Sequence, residues 1–253
     1  MKAAITAAER GHRVTLYEKS DSMGGLQQHT DFTAYKWSYK NFKDYLINQV
    51  KKAGIETNLR TTATPEMIKA KGYDVVLVAL GAEPIASNIP GADGKNVFNI
   101  LSVYSNKDAL GKNVVLIGGG LFGTETGLCL VKEGYRVTEL TSEKQLIPEE
   151  FIGSHNREIQ IDIALNNPDF KFVVEAVATG VSDGKVTYRD ATGSEKSVQA
   201  DSVVIYSGLR PRMDEAIEFS GSAPQVLLLG DCTGRGGMLY KTIRSAFFVA
   251  SQV

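Results

Sequence analysis

The feature that most constrains the fold is an apolar segment that runs directly into a glycine-rich turn. Residues 114–117 (Val-Val-Leu-Ile) are typical of a buried parallel strand, and a helical pattern over residues 124–132 and a strand pattern over residues 136–141 follow the turn. The turn has the spacing G-x-G-x-x-G, with its glycines at Gly118, Gly120 and Gly123. Strand, glycine turn, helix and strand in this order predict a dinucleotide-binding βαβ unit.

Each glycine of such a turn has a physical role. The first permits the tight turn, the second lets the backbone approach a pyrophosphate, and the third lets helix and strand pack closely. The N-terminus of the helix adds N–H groups and a partial positive charge. The alternative is a glycine turn without a ligand. We predict that the turn binds a nucleotide through Gly118, Gly119, Gly120, Leu121, Phe122 and Gly123.

The turn belongs to an internal repeat. Residues 9–15 (Glu-Arg-Gly-His-Arg-Val-Thr) and 132–138 (Lys-Glu-Gly-Tyr-Arg-Val-Thr) share a helix end, a glycine and an Arg-Val-Thr strand start. Applied backwards, the offset between Gly11 and Gly134 pairs the helix of residues 124–132 with residues 1–9. We therefore expect the chain to open inside the first helix of another βαβ unit, whose glycine turn would lie upstream; chance similarity is the alternative.

Other predicted strands also end in residues that suit a cofactor. The strand of residues 13–18 ends in Glu18, where this fold places a carboxylate that binds ribose hydroxyls. A glycine pair at residues 24–25 permits close backbone approach. The strands of residues 74–80, 201–206 and 226–229 run into further turns, at Gly81-Ala82, Ser207-Gly208 and Gly230-Asp231. Because ligands gather at the carboxyl ends of parallel strands, these turns are candidate binding positions.

Composition excludes several other classes of function. The net charge is -1, so there is no basic excess for nucleic acid. No apolar run approaches the roughly 18 residues of a membrane helix. The two cysteines, Cys129 and Cys232, form no C-x-x-C pair, and the three histidines have no metal-ligand spacing. No Ser/His/Asp or Cys/His set indicates nucleophilic catalysis. We expect a cytoplasmic protein without a metal site and assign no catalytic residue.

The ordered set of these segments resembles the two-dinucleotide-binding flavoprotein reductases. Within them, it resembles the C-terminal half of the 2,4-dienoyl-CoA reductase, trimethylamine dehydrogenase and 2-enoate reductase family. The resemblance spans nearly the whole chain and rests on Val14 to Lys19, Met23-Gly24-Gly25, Ala79 to Pro84, Ile89-Pro90-Gly91, Ile117 to Glu125, Ser207 to Pro211 and Leu229 to Cys232.

The resemblance implies an α/β fold with two Rossmann-like domains, the NAD(P)H domain being inserted in the FAD domain. Residues 1–104 and 209–253 would form the FAD-binding domain, and residues 105–208 the NAD(P)H-binding domain. The family's first glycine motif is absent from this sequence. We therefore expect the chain as printed to bind FAD weakly or not at all.

The resemblance also assigns roles to residues. Glu18 would hold the FAD adenosine ribose, and Asp231 the flavin ribitol, although Asp231 could instead cap a helix before Thr233. Gly81 and Ala82 would line the cofactor channel. The remaining FAD-side candidates are Lys19, Gly24, Gly25, Ala79, Gly208 and Gly230.

On the nicotinamide side, Glu125 resembles a residue near the nicotinamide, but it could equally be a first-turn acid favoured by the helix dipole. Thr141 and Ser142 occupy the place of the usual ribose-binding acid. The adjoining Glu143 suits a 2′-hydroxyl and Lys144 a 2′-phosphate, so NADH and NADPH stay open.

The implied function is an electron-input module that passes hydride from NAD(P)H to FAD. In full-length relatives, electrons would continue through an iron–sulfur cluster to FMN in a barrel domain that reduces an enoate or enoyl thioester. This chain contains neither the cluster's cysteines nor the barrel. Two alternatives stay open: a free-standing NAD(P)H-dependent flavin or ferredoxin-type reductase, and a non-catalytic nucleotide-binding module.

Overall fold

The chain divides into two compact units. The computed structural model describes residues 1–32, 36–149, 155–182, 184–234 and 238–253. The first unit comprises Met1–Glu83 and Leu209–Val253, and the second comprises Pro84–Gly208. The sequence-based division at residue 104 differs from the first of these boundaries. Residues 84–104 join the second unit because Val97–Asn99 pairs in parallel with Ser202–Ile205. Which cofactor each unit binds stays a prediction.

The first unit surrounds short parallel strand pairs with helices. Numbered along the whole chain, its elements are α1 (Lys2–Glu9), β1 (Thr15–Tyr17), α2 (Trp37–Lys52), β2 (Glu56–Asn58), α3 (Pro65–Lys71), β3 (Val75–Val78), β4 (Ala82–Pro84, at the boundary), β13 (Leu209–Pro211), α6 (Met213–Ile217), β14 (Gln225–Leu228) and α7 (Leu239–Ala250). Strand β1 pairs in parallel with β2, and β3 with β14, while β4 pairs with β13. The carboxyl ends of β3 and β14 therefore lie at the same edge.

Local sequence signals explain the helices of this unit. Helix α3 begins after Thr64, whose hydroxyl accepts a hydrogen bond from the N–H of Met67 at 3.2 Å, and it ends at Gly72 in the left-handed region. Helix α2 buries Leu46 and Val50, which pack in one apolar cluster with Ile5 of α1. One face of each helix thus supplies the core, as the apolar periodicity predicts.

The second unit is a parallel sheet with a small antiparallel sheet packed on it. Its elements are β5 (Val97–Asn99), β6 (Asn113–Ile117), α4 (Gly120–Lys132), β7 (Arg136–Leu140), α5 (His155–Asn166), β8 (Phe170–Val173), β9 (Val177–Ser182), β10 (Lys185–Arg189), β11 (Glu195–Gln199) and β12 (Ser202–Ile205). The parallel sheet has the order β5-β12-β6-β7-β8, and the antiparallel sheet has the order β11-β10-β9. The predicted α/β fold class is confirmed.

The two faces of the parallel sheet are covered differently. Side chains of β6, β7 and β12 pack against the antiparallel sheet in a cluster that includes Ile117, Leu140 and Val186. Helix α4 packs on β7, and a Cβ built on its Gly127 would lie 2.7 Å from Cε2 of Phe170 in β8. Burial on both faces explains why β6 is an uninterrupted apolar run.

Several element boundaries differ from the sequence-based expectation. Helix α4 begins at Gly120 rather than Thr124, because the second glycine of the turn already has helical neighbours. The alternating sequence pattern predicts one strand over residues 172–177, but the structure has β8 and β9 on either side of Glu175, which has a φ of 50°. The sequence also predicts a helical region over residues 148–166 that is interrupted at Gly153, and a hairpin turn at Asp183-Gly184; Gly153 and Asp183 lie outside the described residues.

Candidate dinucleotide site

The glycine turn between β6 and α4 has the geometry that its spacing predicts. Gly118 has a φ of +101°, and a Cβ there would lie 2.1 Å from the carbonyl oxygen of Tyr206. A Cβ on Gly123 would lie 2.6 Å from the carbonyl oxygen of Gly118. By contrast, Gly120 has a φ of +76° and nothing within 4 Å of its Cβ position. The outer glycines are therefore required by protein contacts, whereas Gly120 faces open space.

Backbone hydrogen bonds fix the turn. The N–H of Gly118 donates to the carbonyl of Leu140 at 2.9 Å, and the N–H of Gly120 donates to the carbonyl of Leu146 at 3.2 Å. The N-cap residue, Gly119, has no side chain to cap α4, and the first turn of α4 carries no acid. The helix N-terminus therefore keeps its capacity for an anion, and the turn fits a dinucleotide pyrophosphate.

Aromatic and apolar side chains begin α4. Leu121 and Phe122 are half-buried, and the Phe122 ring meets the Tyr206 ring edge to face, with centroids 5.2 Å apart. Glu125 is half-buried and is the sixth residue of α4. The alternative that Glu125 is a first-turn acid is therefore wrong, because the helix begins four residues earlier than expected. Its proposed proximity to nicotinamide stays a prediction.

The segment after β7 carries the candidate ribose-binding residues. Thr141 is 1% exposed, and its hydroxyl accepts a hydrogen bond from the N–H of Glu143 at 3.2 Å. A Cβ on Gly119 would lie 2.6 Å from Oγ1 of Thr141, so this side chain directly contacts the turn. Ser142, Glu143 and Lys144 are exposed. The structure thus brings Thr141 to the turn and leaves the choice between NADH and NADPH open.

Sequence reasoning missed Glu139, a buried acid at the same place. Its side chain is 0% exposed on β7, and its Oε1 accepts a hydrogen bond from Oγ1 of Thr124 at 3.1 Å. A Cβ on Gly119 would lie 2.9 Å from Oε1 of Glu139. Burial raises the pKa of Glu139 to about 8. The sequence feature that could have revealed Glu139 is a carboxylate inside a strand that is covered on both faces of the sheet, where apolar residues are the norm.

In the first unit, two of the predicted FAD-side segments follow β1. Oε1 of Glu18 accepts hydrogen bonds from N and Oγ of Ser20, both at 2.9 Å, and Lys19 is exposed. Gly24 has a φ of +133°, and a Cβ there would lie 2.9 Å from Cδ of Lys43; Gly25 has a φ of +54° and an open Cβ position. Lys43 is buried and forms an ion pair with Asp31.

The other FAD-side candidates follow β3 and β14, except for Gly208. Ala79 is exposed, and the carbonyl of Gly81 accepts a hydrogen bond from the N–H of Arg212 at 3.1 Å. Ala82 begins β4. Gly208, at the end of the second unit, has a φ of +92°, and its carbonyl accepts from Ile85 N–H at 3.0 Å.

Gly230 and Asp231 lie at the edge where β3 also ends. Gly230 has a φ of +73° and donates its N–H to Oγ of Ser245 at 3.2 Å. Oδ1 of Asp231 accepts a hydrogen bond from Oγ1 of Thr242 at 2.8 Å. The N-cap of the short 3₁₀ helix Gly230–Thr233 is Leu229, so the alternative that Asp231 caps a helix is wrong.

Two other kinds of feature are absent from the described residues. Among them, no group of histidine, cysteine, aspartate or glutamate side chains is arranged to hold a metal ion. None of the helices in the described part of the chain combines the length and apolar character needed to span a membrane.

Comparison with known proteins agrees with this geometry. A family model described as pyridine nucleotide-disulphide oxidoreductase matches residues 1–246. An NADH oxidase of Thermoanaerobacter brockii is 33% identical over 263 residues, which cover 100% of this chain and 39% of that protein. A cinnamate reductase of Clostridium sporogenes is 32% identical over 255 residues, which cover 100% of this chain and 37% of that protein. The solved structure of a 2-naphthoyl-CoA reductase complex superposes on this chain with a TM-score of 0.88 at 30% identity. The superposition covers 100% of this chain and 38% of the reductase chain.

The chain spans less than two fifths of the length of these three relatives. The matches confirm the resemblance that the sequence motifs indicated, including the reductases of enoate-like substrates. The extent of the family match, together with the geometry of the glycine turn, decides the assignment. The chain belongs to the pyridine nucleotide-disulphide oxidoreductase family of FAD- and NAD(P)H-dependent enzymes.

Proposed function

We propose that the second unit binds NAD(P)H over Gly118–Gly123 and that the chain passes hydride from NAD(P)H to FAD. The observation that carries this proposal is the contrast among the glycines. Contacts within the protein exclude a side chain at Gly118 and Gly123, whereas a φ of +76° favours glycine at Gly120 and no described atom lies within 4 Å of its Cβ position, so the backbone there is open to a ligand. A left-handed residue beside an uncapped helix N-terminus is where a pyrophosphate would approach the backbone.

The protein's own contribution is binding and orientation. Bound FAD would supply the hydride-accepting chemistry. On the nucleotide side, the turn would hold the pyrophosphate, and Thr141 with Ser142 would adjoin the ribose. On the flavin side, Glu18, Gly24, Gly25, Gly230 and Asp231 occupy positions after β1 and β14, which are carboxyl ends of parallel strands. These positions support the proposal that the first unit binds FAD.

The relatives favour a role within a larger enzyme. We propose that electrons leave FAD for a further domain, which by the family resemblance would carry an iron–sulfur cluster and FMN and reduce a conjugated acid or thioester. The cinnamate reductase and 2-naphthoyl-CoA reductase, of which this chain covers 37% and 38%, support this proposal. We propose a cytoplasmic location for such an enzyme. The visible spectrum of the protein supplied with excess FAD separates the alternatives: flavin absorbance that NAD(P)H bleaches faster with the protein than without it supports the reductase, and nucleotide binding without faster bleaching supports the non-catalytic module.

The binding site itself is tested by Gly120→Ala with Gly193→Ala as its matched control. Both glycines lie in the second unit, have φ values of +76° and +82°, and have no atom within 4 Å of the Cβ position. An alanine therefore introduces the same left-handed strain at each, on the order of 1–2 kcal/mol. Only the methyl group at residue 120 would occupy the path of the pyrophosphate.

The measurement is the dissociation constant for NADH and NADPH, from nucleotide fluorescence or calorimetry. We expect Gly120→Ala to weaken binding by about tenfold or more, which corresponds to roughly 1.4 kcal/mol, and Gly193→Ala to leave the constant unchanged. Equal affinities for Gly120→Ala and the unsubstituted chain would contradict nucleotide binding at this turn.

A further inference from the structure

Glu139 is buried against the candidate dinucleotide turn without a full set of partners. Its side chain is 0% exposed, and Oε2 has no hydrogen-bond partner among the described residues, whereas Oε1 accepts from Thr124 at 3.1 Å. Its register partners on both neighbouring strands are apolar: Leu116 on β6 and Phe172 on β8. An unpartnered carboxyl oxygen in such surroundings costs stability, so its retention calls for a role beyond packing.

The carboxyl touches the residue between the first two glycines of the motif. A Cβ on Gly119 would lie 2.9 Å from Oε1 of Glu139 and 2.6 Å from Oγ1 of Thr141. Thr124, which donates to Glu139, lies in the first turns of α4 directly after Gly123. Glu139 therefore contacts both the glycine turn and the helix whose N-terminus would receive the pyrophosphate.

No charged neighbour sets the ionisation of Glu139. Burial is the main cause of its raised pKa, and the hydrogen bond from Thr124 acts in the opposite direction. Lys171 pairs with Thr138, so it lies on the other face of the sheet, and Arg136 shares that face. On α4, Cys129 interacts with Tyr104. On α5, Arg157 binds Gln145 and the carbonyls of Ile147 and Pro148.

The remaining ionisable groups of the surrounding elements are not among the named causes of this shift. They are Glu125 and Lys132 on α4, Glu158 and Asp162 on α5, and Glu143 and Lys144 after β7. Among the described residues, therefore, the charge state of this carboxyl depends on its burial, its bond to Thr124, and whatever binds at the turn.

We propose that Glu139 is a positioning residue for the dinucleotide turn, whose neutral carboxyl supports nucleotide binding and whose ionisation opposes it. This inference rests on the proposed function, because the anion at the turn is the pyrophosphate. A negative charge packed against Gly119 would repel that anion and would attract the N–H groups of the turn away from it. The coupling is reciprocal, so bound nucleotide would also disfavour ionisation of Glu139.

The expected size of the effect follows from the fraction of neutral carboxyl. With a pKa of about 8, Glu139 is mostly neutral at pH 7 and mostly ionised at pH 9. If only the protein with a neutral Glu139 binds NADH, the apparent dissociation constant for NADH rises about tenfold between these pH values. A purely structural carboxyl would not produce this profile.

The test is a titration of the chain with NADH from pH 6.5 to 9.5 at constant ionic strength, using Glu139→Gln and Glu158→Gln. Gln keeps the shape and the acceptor for Thr124 but cannot ionise. Glu158 is an exposed acid of the same unit and serves as the control. We expect the tenfold rise in the unsubstituted chain and in Glu158→Gln, and a flat profile in Glu139→Gln. Infrared spectra should show a protonated carboxyl band at pH 7 that Glu139→Gln lacks.

A second variant covers a failure of Glu139→Gln to fold. Thr124→Val removes the hydrogen bond that lowers the pKa of Glu139, so the midpoint of the binding profile should move to higher pH. A flat profile in the unsubstituted chain, or the same rise in Glu139→Gln, would overturn the role of Glu139 while leaving the nucleotide site intact. Absence of NADH binding at every pH would instead remove the proposed function and this inference with it.

Discussion

Burial of Glu139 should make the stability of the protein fall as the pH rises, and Glu139→Gln should remove that fall. The pKa rises from 4.5 to about 8 on folding. Between these values the folded state holds a proton that the unfolded state has released, so the free energy of unfolding decreases with increasing pH. One pKa unit corresponds to about 1.36 kcal/mol, and the loss specific to this group between pH 5 and pH 8 is about 3.5 kcal/mol.

The assay is equilibrium urea unfolding at pH 5 and pH 8, followed by far-ultraviolet circular dichroism. Because Gln leaves its own unpartnered N–H group in place of Oε2, the informative quantity is the change between the two pH values and not the absolute difference. We expect the advantage of Glu139→Gln over the unsubstituted chain to grow by about 3.5 kcal/mol from pH 5 to pH 8. The Glu158→Gln control alters an exposed acid, so it should follow the unsubstituted chain.

One result would refute this reasoning. If the difference between Glu139→Gln and the unsubstituted chain is the same at pH 5 and pH 8, the carboxyl does not titrate across that range, and the desolvation argument fails. If the stability of Glu158→Gln no longer falls between pH 5 and pH 8, the pH dependence comes from the surface charges of the unit and not from Glu139.

The remaining predictions concern the cofactors. Gly123→Ala places a Cβ 2.6 Å from the carbonyl oxygen of Gly118, so the free energy of unfolding, measured by thermal unfolding, should fall by an amount on the order of 1–3 kcal/mol. An unchanged melting temperature would contradict the close packing of α4 on the turn. Lys144→Ala should weaken NADPH binding and leave NADH binding unchanged, whereas Glu143→Ala should weaken NADH binding and leave NADPH binding unchanged. Calorimetry that shows no change for either nucleotide would exclude both side chains from the ribose site. Asp231→Ala should weaken still further the binding of added FAD in flavin titrations, and an FAD dissociation constant equal to that of the unsubstituted chain would contradict its ribitol role.

Much of the second unit could be predicted because its signals are local. The apolar run of β6, the spacing of three glycines and the Arg-Val-Thr start of β7 all lie within 28 residues (113–140), and the structure confirms the βαβ unit that they predict. The sequence pattern likewise predicts a strand over residues 185–189, and β10 (Lys185–Arg189) has these bounds. Periodicity and turn chemistry suffice where an element's partners are its neighbours in sequence.

Features that depend on distant partners could not be predicted. Strand β5 joins the second unit only because β12, more than 100 residues later, accepts it in parallel. The apolar register partners of Glu139 lie on β6 and β8, so sequence periodicity alone does not reveal that its carboxyl is buried against Gly119. The hydrogen bond from the N–H of Gly120, where α4 begins, to the carbonyl of Leu146 likewise joins the turn to another loop.

The measurement that tests the central claim most directly is amide hydrogen exchange with and without NADH, read by mass spectrometry on peptides of the second unit. If NADH binds at the glycine turn, protection should be greatest in the peptide that contains Gly118–Gly123 and the first turn of α4. A smaller effect is expected after β7 at Thr141 and Ser142, and none is expected in the β10–β11 turn around Gly193. Protection confined to other segments, or no protection at saturating NADH, would contradict nucleotide binding at this turn.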